Sequence, residues 1–205
     1  MDEPWDPPTP VAELGSDAFD ENPAVSRDGL RLWFYSRRDP LGIWYSERGA
    51  RDEAWSTPVP VSIPGGEGAV IAPSVDQGEL RLAVSMGDGD ARDIYEAVRS
   101  SRTEPWGELT RLSGLNSDRS DSTPFLIDDG RELLLSSGRS GNGDLFWAYR
   151  ETLDAPFETV LPLMELNDPD AFESHPYLSV DRHTAFFGSD RSGGTDIYEA
   201  AAVSP

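Results

Sequence analysis

Residues 124–146 read PFLIDDGRELLLSSGRSGNGDLF, and the same arrangement recurs three more times along the chain. It opens on Pro124, with apolar Leu126 two residues on and an Asp129-Gly130 turn pair behind it. Leu133 and Leu135 follow two apart, so both face one side of a strand. Ser137 and a Gly-rich loop then lead into Asp144-Leu145-Phe146. Outward from this stretch, prolines stand at Pro23, Pro73, Pro124 and Pro176, at intervals of 50, 51 and 52 residues. Aligning on them without gaps brings up further columns. Val25, Val75, Leu126 and Leu178 form one, and Leu32, Leu82, Leu133 and Ala185 another. Phe34, Val84, Leu135 and Phe187 come next, then Ser36, Met86, Ser137 and Ser189. Between the proline and the second strand lie turn residues, Asp28-Gly29, Gln77-Gly78, Asp129-Gly130 and Asp181-Arg182. A third strand opens at Asp93-Ile94-Tyr95, Asp144-Leu145-Phe146 and Asp196-Ile197-Tyr198, while the first repeat is a residue shorter and reads Gly42-Ile43-Trp44. A second series, Trp5, Trp55, Trp106 and Phe157, has intervals of 50, 51 and 51. It opens a fourth strand in each repeat: Trp5 to Leu14, Trp55 to Ile63, Trp106 to Leu115 and Phe157 to Leu166.

Four short strands in about 51 residues make one blade of a propeller, an architecture built by radial repetition of small sheets. The sequence therefore predicts an all-β fold, a β-propeller of four four-stranded blades. It predicts a single domain over 1–205 with repeat units at approximately 5–54, 55–105, 106–156 and 157–201. Proline has no N–H to give a strand ladder, so the recurring proline belongs on an edge strand, the innermost one facing the tunnel. The chain begins with a fourth-strand element and ends with a third strand, Ile197 to Ala200. The expectation is that the N-terminal strand completes the last blade and closes the ring in a monomer. The alternative is a dimer in which two chains share one larger ring, or a piece of a longer propeller.

With 37% hydrophobic and 10% aromatic residues the chain is too apolar for disorder, even at a net charge of −21. Nineteen Gly and 17 Pro, spread along its 205 residues, suit many short strands rather than long helices. The acidic balance argues against nucleic acid and anionic membrane surfaces as partners, and admits cations, basic proteins and neutral glycans. Solubility is the plain account of so much negative charge. There is no cysteine, which removes disulfide and thiolate chemistry. No apolar run has the length of about 18 residues that a membrane span needs, so no membrane insertion is expected. No secretory signal is read at the start; Met1 before Asp2 and Glu3 fits a native start or a mature domain behind a removed leader.

Catalytic constellations are not recognised. No Gly-x-Ser-x-Gly elbow is present, and the two histidines, His175 and His183, match no zinc spacing. A Ser-His-Asp set drawn through His175 would rest on serines that abound in the repeats. The stronger candidate is acidic. Three residues before the prolines stand Asp20, Val70, Asp121 and Glu173, and one residue before stand Asn22, Ala72, Thr123 and His175. A period of two puts both positions on one side of a strand entering the tunnel. Asp20, Asp121 and Glu173 are thus read as a tunnel-mouth site for calcium or another hard cation, with Asn22, Thr123 and His175 as ligand-binding neighbours. Asp17, Glu21, Asp118, Asp168 and Asp170 lie in the same loops, where solvated acidic turns are the ordinary account. Asp88-x-Asp90-x-x-Asp93 resembles a calcium loop only loosely, lacking its closing Glu. Asp93, Asp144 and Asp196 read as structural, accepting turn N–H bonds or pairing with Arg139 or Arg191. Trp33, Tyr35 and Trp44 would stack on a sugar or peptide if they reach the rim, and otherwise fill the space between blades.

The stretch Ser189-Asp190-Arg191-Ser192-Gly193-Gly194-Thr195-Asp196-Ile197-Tyr198 resembles the signature of TolB-like, WD-repeat-like bacterial propeller repeats, and Ser137-Gly138-Arg139-Ser140-Gly141-Asn142-Gly143-Asp144 is similar to it. The resemblance spans residues 5 to 201. It implies a bacterial protein, periplasmic or extracellular, of a kind that often binds other proteins and commonly has six blades. Fold alone does not fix function. The expectation is a non-catalytic binding scaffold at the cell envelope with another protein as partner and no cofactor beyond the cation. The alternative is a glycan-binding or glycan-cleaving propeller using rim aromatics and paired carboxylates.

Overall fold

The structure, a computed structural model, describes residues 9–66, 70–89 and 91–202. Its fifteen strands run in chain order as antiparallel meanders. The first sheet holds β1 (Asp20–Val25), β2 (Arg31–Ser36), β3 (Gly42–Glu47) and β4 (Val59–Pro60). The second holds β5 (Val70–Val75), β6 (Arg81–Met86), β7 (Asp93–Val98) and β8 (Thr110–Arg111). The third holds β9 (Asp121–Ile127), β10 (Glu132–Ser137), β11 (Asp144–Tyr149) and β12 (Thr159–Pro162). The fourth holds β13 (Glu173–Leu178), β14 (Thr184–Ser189) and β15 (Asp196–Ala201). Strand order within each sheet follows sequence order, and no helix occurs among the described residues. This is the four-bladed propeller that the repeat predicts. A unit counted from its aromatic straddles two sheets, because its opening strand completes the sheet before it.

The fourth strands are shorter than the sequence suggests. Trp55, Trp106 and Phe157 stand ahead of the ladders, each under an arginine of its own blade: Arg48 at 4.3 Å, Arg99 at 4.2 Å and Arg150 at 4.7 Å from the ring centre. Pro58 and Pro60 bring no N–H to the first of these ladders, which pairs only Val59 and Pro60 with Tyr45 and Trp44.

Each inner strand packs on the next, β1 on β5, β5 on β9 and β9 on β13. The apolar columns then meet between blades. Ala83, Ile94, Leu112 and Leu115 of the second blade bury against Leu133, Leu135 and Phe146 of the third. Trp33, Tyr35 and Ile43 of the first bury against Leu82, Val84 and Trp106 of the second. The seam between the last blade and the first is different. β13 and β1 do not pack, and the described link across them is a hydrogen bond between the Asn22 amide and the His175 ring, 3.0 Å long. The expected closing strand falls partly on residues 1–8, outside the described residues; residues 9–14 form no strand, and the last sheet has three.

Candidate functional site

The four prolines do line the tunnel. A cavity of about 670 Å³ lies between the inner strands, walled by Pro23, Pro73, Pro124 and Pro176 with Val25, Val75, Phe125 and Tyr177 among its apolar surfaces. The backbone does something unusual just before each proline. Asn22, Ala72, Thr123 and His175 have φ of 55°, 51°, 47° and 53°, the left-handed region. In every inner strand this residue and its proline stand together opposite a single residue of the second strand, for the register jumps from Glu21↔Tyr35 to Ala24↔Trp33 and likewise in the other three. Each inner strand therefore carries a β-bulge at the tunnel mouth.

The bulge corrects the reading of the carboxylates. A period of two would aim Asp20, Asp121 and Glu173 the same way as Asn22, Thr123 and His175, but a bulge breaks that alternation. Each acid instead meets its own arginine. Arg139 Nη2 donates to Asp121 at 2.8 Å and to the Leu115 carbonyl at 2.6 Å, while its Nε donates to Ser137 Oγ at 2.7 Å. Arg38 repeats this with Asp20, Leu14 O and Ser36, each at 2.8 Å. Arg191 does so with Glu173 at 3.0 Å, Leu166 O at 2.6 Å and Ser189 at 2.9 Å. The guanidinium also lies over Phe34 and Trp44, Phe146, or Phe187 and Tyr198 in the respective blades. The second blade has Val70, Met86 and Asp88 at the acid, serine and arginine positions, so it lacks acid, hydroxyl and guanidinium together. Asp121 and Glu173 are fully buried in these clips. For Asp20, burial would raise the pKa, but the Ser36, Arg38 and Ser16 hydrogen bonds and the Arg38 charge outweigh it and hold the carboxyl below its ordinary range. The three acids do not converge, and the described residues contain no group of three or more His, Asp or Glu placed to hold a metal. Asp90 of the loose calcium loop lies outside the described residues.

Asn22, Thr123 and His175 do come together. The amide nitrogen of Asn22 can only donate, so with this amide orientation His175 Nε2 accepts, and the ring proton sits on Nδ1, 3.0 Å from Ser174 Oγ. The His175 N–H reaches Thr123 Oγ1 at 3.2 Å, and the Thr123 N–H reaches Ser85 Oγ at 2.9 Å, so the mouth is stitched from blade to blade. Desolvation in the mouth pushes the His175 imidazole below its ordinary pKa, and the Glu21 carboxylate pulls weakly the other way. In this amide orientation the Nδ1–H donates to Ser174 Oγ rather than accepting from it.

Two other expectations are settled by position. Trp33, Tyr35 and Trp44 are only 2%, 5% and 8% exposed; they fill blade interiors and form no rim platform. Asp93 pairs with Arg111 at 2.7 Å, and Asp144 and Asp196 take the hydroxyls of Ser140 and Ser192; Arg139 and Arg191 are committed to the clips instead. Residue reasoning missed Phe125 and Tyr177, edge-on at 5.0 Å on the tunnel wall. They follow the proline by one, the place the first two repeats give to Ala24 and Ser74.

No family model matches the chain, and no curated protein matches it by sequence. Solved structures do match. TolB from Acinetobacter baumannii superposes with a TM-score of 0.58 at 15% identity, over 94% of this chain and 46% of that one. An Agrobacterium tumefaciens protein assigned as TolB gives 0.50 at 15% identity over 86% of this chain and 72% of that one. A puromycin-hydrolyzing peptidase from Mycobacterium tuberculosis gives 0.51 at 14% identity over 90% and 30%. The chain thus spans about half the length of the first, and what it shares with all three at this identity is a fold, the β-propeller blades described above.

Proposed function

We propose that the protein is a non-catalytic binding module that takes an extended segment of another protein into its tunnel, at the bacterial cell envelope. The observation that carries this is the tunnel itself. It is roomy, mostly apolar, and bordered by a few fixed polar groups, as binding sites generally are. The polar groups beside it are already satisfied. The repeated carboxylates are neutralised by arginines, and the single histidine at the mouth is hydrogen-bonded to both Asn22 and Ser174. An extended peptide suits a cavity bounded by edge strands, whose tunnel aromatics Phe125 and Tyr177 pack edge-on against each other, while Trp33, Tyr35 and Trp44 are buried. The likeness to TolB supports the envelope setting and a protein partner.

The test is selection from a displayed peptide library, followed by affinity measurement on a blocked variant. Val25 lines the tunnel and is more than half exposed, so Val25→Trp fills the bore without disturbing a packed core. Selected peptides should lose at least about tenfold in affinity, roughly 1.4 kcal/mol. Equal binding to the blocked variant would take the site out of the tunnel, and a library yielding no binder would end the reading.

A further inference from the structure

Where one blade packs on the next, a polar junction forms at the start of the second strand, and the junction between the second and third blades is unbalanced. In each, a left-handed turn residue of the later blade faces the residue that opens the second strand of the earlier one. Glu79, with φ of 58°, meets Arg31 at 2.7 Å, and Arg182, with φ of 61°, meets Glu132 at 2.8 Å. Gly130, with φ of 86°, holds the same place beside Arg81 and has no side chain to offer.

Arg81 turns instead to Glu96 of its own blade, Nη1 donating to Oε2 at 2.7 Å. That carboxylate also serves Arg150 of the third blade, whose Nη2 donates to Oε1 at 2.7 Å and Nη1 to Oε2 at 3.3 Å. Arg150 spends its Nε on Gly130 O at 3.0 Å and lies over the Phe157 ring. Two guanidiniums that cannot give up a proton thus share one carboxylate. Arg81, Arg150 and Glu96 are only 8%, 2% and 6% exposed, and an uncompensated charge is costly at such burial. Arg81 Nη2 makes no hydrogen bond among the described residues; Asp154 stands 3.8 Å from it on a fully exposed side chain, where water screens the pair. Asp76, on the turn before Arg81, is committed to the N–H groups of Gly78, Leu80 and Arg81.

A cavity of about 510 Å³ opens onto these two arginines, between the outer strands of the second blade and the turn at 153–157 of the third. Val98, Leu153 and Pro156 give it apolar walls, and Arg111 at its edge is held by two hydrogen bonds to Asp93. Its lining shares no residue with the tunnel.

We propose that this pocket is a second binding site, for a carboxylate carried on an apolar body. Arg81 Nη2 supplies the open donor, and the Glu96–Arg150 pair holds the Arg81 guanidinium in place. One excess positive charge calls for one negative charge, and the bound carboxylate restores one-to-one pairing. A doubly charged phosphate would meet twice the repulsion from a chain of net charge −21, and it has no hydrocarbon to set against Val98, Leu153 and Pro156. A free organic acid and the carboxyl end of a peptide share this chemistry.

The probes are hexanoate for the free acid, N-acetyl-leucine for the chain end and inorganic phosphate for comparison, at constant ionic strength. Binding is followed through the backbone amide resonances of Leu153 and Ala155, which line the pocket and persist in every variant. At least one of the two carboxylates should saturate with a dissociation constant of about 1 mM or below, and phosphate should bind at least about tenfold more weakly. Tighter N-acetyl-leucine identifies the chain end as the source, and tighter hexanoate the free acid. Arg81→Met keeps the apolar stem and leaves Arg150 and Glu96 as a balanced pair; it should weaken binding at least about tenfold. Asp154→Asn removes the competing carboxylate from an exposed side chain and should tighten binding about two- to threefold. No saturation by either carboxylate, undiminished binding to Arg81→Met, or phosphate binding as tightly as the carboxylates would overturn the proposal. The readout is independent of whether the tunnel holds a peptide.

Discussion

All 17 basic residues of this chain are arginine, and the clips use what lysine lacks. Arg139 donates to a carboxylate, a hydroxyl and a carbonyl at once and lies 4.9 Å over the Phe146 ring. One ammonium has neither the fork nor the flat face for this. Removing one partner should therefore be worse than removing all. Asp121→Val leaves the Arg139 charge without its counter-ion and should destabilise the protein by about 3–5 kcal/mol. Adding Ser137→Met and Arg139→Ala, an apolar set that follows the second blade's Val70 and Met86, should recover most of that loss, to within about 1–2 kcal/mol of the parent. Urea denaturation of the parent, single and triple variants checks both numbers.

At the scale of the strand, the bulge before each proline is the device that separates what faces the tunnel from what faces the clip. It has a conformational cost. Ala72 has no side-chain group to repay a φ of 51°, and the left-handed region costs a residue with a Cβ about 1–2 kcal/mol. Ala72→Gly removes that strain but gives the unfolded chain extra freedom, worth about 0.5–1 kcal/mol. The expected net is a gain of up to about 1.5 kcal/mol, read as a raised melting temperature. Thr123→Gly should not share it, because Thr123 Oγ1 accepts the His175 N–H. The bulge also explains what stayed hidden in the sequence. The proline and carboxylate columns are legible as spacing. The left-handed column is not, for Asn22, Ala72, Thr123 and His175 share no chemistry, and Ala and Thr do not favour that conformation. Without the bulge, alternation carries the carboxylates to the wrong place. Arg38, Arg139 and Arg191 each stand fifteen residues after a repeat proline and are visible as a column, but their partners required the fold.

At the scale of the molecule, blade number and strand order followed from two periodic series, because each blade repeats the same local pairing. The seam did not follow, since periodicity describes what neighbouring blades share and the seam is where they differ. The whole also carries a net charge of −21, only part of it paired in the clips. Mutual repulsion among exposed carboxylates weakens the compact state and is screened over about 10 Å at 0.1 M salt. Raising sodium chloride from low concentration to about 0.5 M should lift the melting temperature by several degrees, and a flat response would mean the surface charges are already locally balanced.

The clips of the first, third and fourth blades reach only backwards, each to the turn that enters its own blade. Leu115 O is held by Arg139 and Leu166 O by Arg191, and among the described residues no clip skips a blade. Contacts confined to nearest neighbours make the chain modular in the way of a repeat array. Duplicating or deleting one unit of about fifty residues would set a familiar face against a familiar face, so the gene can lengthen or shorten by whole blades without inventing an interface. Descent in this architecture can thus change ring size in single recombination steps, while the chemistry inside each blade stays the same.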